Sequence, residues 1–343
     1  MPDKVGIPRA LMYHYYYPCW ETFFKELGYD VVLSKESNKK ILETGVRLAV
    51  DDICLPFKVY YGHVLDIKDS VDYLFVPRFI SLGKYNYVCP KFMGLPDMLK
   101  ANIKDLPEII EPVFDLRKHS IRPLRKIYGE IGKFLGEKFW KVEGAYLKAI
   151  KRQKRFVNLQ IQGYSVEDAI RISGEDAIAN NFTINDNSNN TNKKYYLNNY
   201  NKKNLKIGVL GHSYILNDRY ISMDILGQLK SMGIKVYTVE MFDELYLEKA
   251  ASRQNKRVFW FFNRKVMGAA YHLFDSSEEI DGLIQVTAFA CGPDSMVQEL
   301  IDIKAKRKNI SVLNLNLDEH SAEAGLITRL EAFIDLIERR KMA

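Results

Sequence analysis

The chain has 343 residues, of which 47% are hydrophobic and 27% charged, and a formal net charge of +7. This is more than one ordinary core needs and fits two domains, while the apolar fraction excludes a disordered chain. No stretch approaches the roughly 18 uninterrupted apolar residues of a membrane span, and the start MPDKVGIPRALMYHYYYP has no basic region leading into a long apolar run, so a cytoplasmic location is expected.

In chain order, residues 5–7, 31–34, 73–76 and 109–114 read as strands, and Gly28 closes the first helix, where a C-terminal glycine is expected. The aromatic-rich residues 13–20 read as core or as a subunit contact. Residues 120–178 have a helical pattern and hold most of the basicity: from Arg117 to Arg155 there are 13 Lys and Arg against 3 Glu. A solvated helix face is the simplest use of that charge, ahead of partner docking or attraction for the phosphates of coenzyme A. Nucleic-acid binding is not expected, because no binding module is recognisable.

Residues 180–204 then become poor in complexity, 11 of 25 being Asn, which favours turns over a packed element. Beyond them, apolar runs at 205–211, 235–240, 282–289 and 310–317 alternate with helical patterns at 220–232, 295–308 and 323–339. Strands separated by helices imply parallel sheets covered on both faces. The expectation is an α/β protein of two Rossmann-like (flavodoxin-like) parallel-sheet domains, residues 1–116 and 205–343. Between them lie a helical basic segment, 117–182, and an Asn-rich linker or loop, 183–204.

The four cysteines, Cys19, Cys54, Cys89 and Cys291, are too few and too scattered for a disulfide framework and read as thiols. Three of them stand just ahead of proline, in Cys54-Leu55-Pro56, Cys89-Pro90 and Cys291-Gly292-Pro293. Proline suits a first helical turn, so each sulfur belongs at a helix N-terminus, whose partial positive charge favours thiolate. Three thiolates from separate elements suffice to ligate a cubane and leave one iron without a protein ligand. There is no Cys-x-x-Cys, so neither a zinc finger nor a ferredoxin run is indicated. Spacing alone leaves a second reading open, three buried cysteines at tight turns. Cys19, among aromatics in Tyr17-Pro18-Cys19-Trp20, reads as packing.

Lys58 lies one helical turn after Cys54, either beside that site or on a solvated face. Asp294 and Ser295 follow Cys291 by three and four residues, on its side of a helix, although an acidic first turn also simply complements the helix dipole. His212 and His320 end predicted strands, where ligands gather in open parallel sheets; structural polar contacts are the alternative. Lys58, His212, Ser295 and His320 are therefore the candidate catalytic residues. Arg9, after the first strand, suits a phosphate, a carboxylate or a surface ion pair. His63 is out of phase with Cys54 on its helix and is not expected to face the cysteines.

The strings KVGIPRAL at Lys4, NKKILETGVRLAVDDICLPFKVYYGHV around Cys54, YVCPKFMGLPDM around Cys89, ACGPDSM around Cys291 and DEHSAEAGLITRLEAFID at Asp318 resemble one family. It is the activase-related branch of the 2-hydroxyacyl-CoA dehydratase and benzoyl-CoA reductase superfamily. The resemblance implies two Rossmann-like domains with an iron-sulfur cluster between them, a [4Fe-4S] centre held by Cys54, Cys89 and Cys291. A separate ATP-dependent activase of actin-like fold would inject a low-potential electron, and an acyl-CoA is the implied substrate class. The chain has no nucleotide-binding glycine loop of its own and three matching cysteines, so a double cubane would have to be shared with a related second subunit or in a homodimer. The expected function is an iron-sulfur redox protein that reduces a substrate at an open cluster iron. The alternatives are a non-catalytic cluster or scaffold protein that regulates or matures an activase/dehydratase system, and a cluster-free binding protein.

Overall fold

The computed structural model describes residues 2–117, 123–174, 203–276 and 279–342. Its first half runs β1 (Lys4–Ile7), α1 (Tyr13–Glu26), β2 (Asp30–Leu33), α2 (Lys39–Leu48), α3 (Leu55–Ile67), β3 (Tyr73–Phe75), β4 (Arg78–Ser81), α4 (Pro90–Asn102), β5 (Glu108–Ile110) and β6 (Val113–Asp115). Strands β2-β1-β3-β5 form a parallel sheet, with Val5 opposite both Val31 and Tyr73. Three helices follow, α5 (Pro123–Phe134), α6 (Phe139–Ile161) and α7 (Val166–Gly174).

The second half contains β7 (Lys206–Leu210), α8 (Ser213–Leu216), α9 (Ile225–Ser231), β8 (Lys235–Tyr237), α10 (Glu244–Ala251), α11 (Phe261–Asp275), β9 (Gly282–Ala288), α12 (Gly292–Arg307), β10 (Ser311–Leu317) and α13 (Glu323–Met342). Its parallel sheet has the order β10-β9-β7-β8. Counted within its own half, each sheet is therefore ordered 2-1-3-4, the doubly wound arrangement in which the chain reverses direction beside the first strand. The expected α/β fold with Rossmann-like parallel sheets is what the chain adopts.

Four local readings change. The run 109–114 is two strands, because Pro112 has no N–H to give a ladder; its carbonyl instead accepts from Arg78 N at 2.9 Å, and β6 pairs with β4 in a separate two-stranded sheet. The pattern at 220–232 is helical only from Ile225, since Met223 and Asp224 take positive φ values of 52° and 51°. The run 235–240 stops pairing at Tyr237 and turns into a short 3-10 helix, Val239–Met241. Helices α10 and α11 were not expected from the pattern. The Asn-rich linker falls outside the described residues except for residues 203 and 204.

The aromatic segment at the start of α1 is core: Tyr17, Trp20, Phe23 and Phe24 are buried, and Trp20 and Phe24 both pack edge-on against Phe75 of β3. Part of the basic stretch is consumed structurally rather than solvated. Arg152 and Lys148 of α6 pair with Glu21 and Glu26 of α1, and Lys141 donates to the carbonyl of Leu27 at the end of that helix. One apolar core continues from the first sheet into the second, and a smaller cluster sits beneath α10, α11 and α12. Among the described residues no helix is long and apolar enough to cross a membrane.

The two halves meet through the carboxyl ends of their strands. Ser213 N donates to the Tyr15 hydroxyl at 3.0 Å, Lys58 reaches Glu319 at 2.5 Å, and Ser37 bonds Asp218, each bond joining one half to the other. In a right-handed crossover the helix runs antiparallel to the strand it precedes, so helices α3, α4 and α12, which lead to β3, β5 and β10, begin on that same carboxyl side.

Candidate metal centre at three helix starts

Cys54, Cys89 and Cys291 are the N-cap residues of α3, α4 and α12, each followed by proline at the first or second helical position. Pro56, Pro90 and Pro293 preset the helical φ where no N–H is needed, and the first ladder bonds close onto the cysteine carbonyls, from Phe57, Phe92 and Ser295. No cysteine side chain caps its helix, which leaves the sulfurs uncommitted to that role. Ala290, with φ of 63°, bends the chain into Cys291.

The three thiols act on one another. The charge of Cys89 raises the pKa of Cys54, that of Cys54 raises the pKa of Cys291, and Asp294 pushes all three upward. The expectation of thiolates at helix starts is overturned by burial. Burial raises the Cys54 thiol to about 11 and is the largest influence on Cys89 and Cys291, also raised, although the N–H groups of Phe57, Lys91 and Asp294 pull the other way. A helix terminus contributes about 0.3–1 kcal/mol, too little to offset desolvating a thiolate. A metal ion reverses this balance, because a coordinating thiol loses its proton outright.

His212, the N-cap residue of α8 just beyond β7, donates from Nε2 to Asp294 Oδ1 at 2.8 Å and stacks on Tyr214. Asn263 of α11 donates to the same carboxylate oxygen at 2.5 Å. Both His212 and Asp294 are buried, and His212 Nδ1 and Asp294 Oδ2 have no hydrogen-bond partner. One ligand atom each from His212, Cys291 and Asp294 lies within 4.8 Å of the others, a possible metal-binding triad. His212 and Cys291 follow β7 and β9, the two strands that flank the reversal of strand order, where ligands of doubly wound sheets bind. His212 also lines a cavity of ≈ 390 Å³ whose other walls include Tyr15, Tyr16, Trp20, Phe79 and Phe262.

The remaining candidates are placed differently. Lys58 is buried and ion-paired with Glu319 in the loop after β10, so it is neither solvated nor free to face the cysteines. Burial alone would raise the Glu319 carboxyl, but the Lys58 bond and charge bring it below its ordinary value. Ser295 is exposed and its hydroxyl donates back to the Cys291 carbonyl at 3.2 Å. His320 is exposed, its N–H given to Asp318. Cys19 is buried with its sulfur 3.0 Å from the Tyr128 hydroxyl, and burial pushes its thiol up to about 12. His63 bonds Ser34 and Ser37. Sequence reasoning missed Asn263 and undervalued Asp294. The acidic first turn after Cys291 was visible, but its partner His212 lies 82 positions away and is joined to it only by the sheet order.

No curated protein matches the chain. A family model does match, over residues 4–242, a span that holds Cys54, Cys89 and His212 and ends before Cys291. Its description ties the chain to coenzyme A enzyme activases and agrees, at that coarse level, with the resemblance read from the motifs. By this match over more than half its length, the chain belongs to the family described as CoA enzyme activase uncharacterised domain.

Proposed function

We propose that Cys54, Cys89 and Cys291 hold a [4Fe-4S] cluster and that the chain is a redox component that takes electrons from a separate ATP-dependent activase. The observation that carries this reading is that three helices with proline in the first turn all have cysteine at the N-cap, with sulfurs near enough for the charge of one to act on the next. The donor set fits the group: three sulfurs from three separate helix starts, where burial favours the protonated thiol without metal. When bound, such a cluster supplies a low-potential one-electron donor with one iron free of cysteine.

The chain's own residues then have defined tasks. The N-termini of α3, α4 and α12 direct partial positive charge at an anionic centre. The Lys58–Glu319 pair ties α3 to the β10–α13 loop and so fixes Cys54 relative to the second half. Asn263 orients Asp294, and Asp294 in turn fixes the His212 ring, which forms part of the wall of the aromatic-lined cavity. An acyl-CoA is the substrate class that the family description and the motif resemblance support. The test is anaerobic turnover with an activase, ATP and a panel of acyl-CoAs. The reading predicts activase-dependent and ATP-dependent conversion; ATP hydrolysis by the activase with no electron uptake by this chain would contradict it.

A second reading rests on the close approach of His212, Cys291 and Asp294, which suits a single divalent ion. It predicts bound metal without acid-labile sulfide, and metal retention in Cys54→Ser and Cys89→Ser.

A further inference from the structure

The aromatic-walled cavity that His212 borders has an acidic corner for which the cysteines have no use. Its volume of ≈ 390 Å³ is that of a small-molecule pocket, and its wall runs from α1 through the end of α6 to the start of α11. Three carboxylates, Glu240, Asp243 and Glu244, line it against a single Lys or Arg, Lys265. Two of the three are committed. Asp243 caps α10 by accepting the Leu245 N–H at 2.8 Å, and Glu244 lies 3.5 Å from Lys265. Glu240, in the short 3-10 helix after β8, is held by its own N–H and by Thr238 and has no ion pair among the described residues.

Glu240 is partly exposed, and its carboxyl points into this space: its charge acts on Tyr15, and it feels Lys265 and His212, all three of which line the same cavity. Burial is still the largest influence on that carboxyl and raises it above its ordinary value, because little solvent reaches it. Gln160, in the last turn of α6, is 6% exposed, and its carboxamide keeps accessible surface without a hydrogen-bond partner among the described residues. Gln160 and Glu240 also both line a neighbouring cavity of ≈ 330 Å³, so the two side chains form one polar partition between the two spaces. Most of the remaining wall is apolar or aromatic, with Tyr15, Tyr16 and Phe262 on one side and Val157 and Ile161 on another.

We infer that this cavity binds a primary amine carried on an aryl or branched alkyl body, its ammonium on Glu240 and the Gln160 carbonyl oxygen, its body among Tyr15, Tyr16 and Phe262. An ammonium supplies what the partition lacks, a cation with several donors, while the rings cover the apolar body and attract positive charge over their faces. A carboxylate in the same place would meet an excess of negative charge. The site goes beyond the proposed cluster and uses none of its ligands, so folded Cys54→Ser should bind the same amines.

The experiment is calorimetric titration of the anaerobically purified chain with phenethylamine and isopentylamine. Phenethyl alcohol, hydrocinnamate and methylamine serve as probes that lack the charge, reverse it, or lack the body. Saturable binding of at least one of the two larger amines is expected, with the alcohol and hydrocinnamate at least about tenfold weaker and methylamine without measurable heat. Glu240→Gln keeps the shape and should erase the preference for amine over alcohol while the body still binds. Gln160→Leu should weaken the amine about three- to tenfold and leave the alcohol unchanged. Circular dichroism of each variant checks that the fold is kept. No saturable binding of either amine to folded wild type, equal or tighter binding of hydrocinnamate, or an amine preference that survives Glu240→Gln would each overturn the assignment.

Discussion

Side chains, rather than positions, separate Cys19 from the other three cysteines. Its sulfur is spent on Tyr128 inside the aromatic core, whereas the others stand at helix N-cap positions and act on one another. The Lys58–Glu319 pair makes a prediction at this scale. Lys58→Met should leave a carboxylate without its cation and destabilise the chain by ~2 kcal/mol, and adding Glu319→Gln should recover much of that in a denaturant titration. Asp218 makes another. Burial raises its pKa from 3.8 to about 6, against the pull of Ser37, Ile221 and Tyr220 and with help from Glu36. A carboxyl whose folded pKa is raised favours the native state most fully below its unfolded value and loses that contribution as pH climbs through the folded one. Asp218→Asn should therefore be more stable than wild type by ~1–3 kcal/mol at pH 7, with the advantage fading by about pH 4. A difference that grew on acidification would contradict the assigned direction.

Among the elements, the crossing of α2 on α3 fixes the first cysteine. A Cβ at Gly45 would lie 2.0 Å from the Lys58 carbonyl oxygen, and one at Gly62 would lie 1.9 Å from that of Ile41, so these helices touch backbone to backbone. Gly62→Ala should force them apart, cost about 3 kcal/mol or more and lower metal content together with stability, because α3 carries Cys54 at its start. Strands of branched residues and the proline-marked helix starts were legible from local pattern alone. Local pattern failed where a single residue overruled it. Pro112 splits the run 109–114, and left-handed Met223 and Asp224 delay α9. The glycine contact between α2 and α3 was equally hidden, since GVRL and YYGH read as ordinary helix and give no sign of which face meets a neighbour.

At the scale of the whole molecule, the two sheets have the same 2-1-3-4 order, and hydrogen bonds between loops and helix starts beyond their strands join one half to the other. Cys54 and Cys89 come from one half and Cys291 from the other, so the proposed centre requires both halves. The sequence motifs pointed to the three cysteines and to His212, because each stands at a helix start or a strand end. They were silent on the Asp294–His212–Asn263 network, which depends on the strand order and helix packing of the second half. The most direct measurement is iron and acid-labile sulfide in anaerobically purified wild type and in the four single Cys→Ser variants. The account predicts about four iron and four sulfide per chain, the content of one cubane, largely lost in Cys54→Ser, Cys89→Ser and Cys291→Ser and kept in Cys19→Ser. Metal without sulfide, or a cluster that survives loss of any of those three and disappears with Cys19, would contradict it.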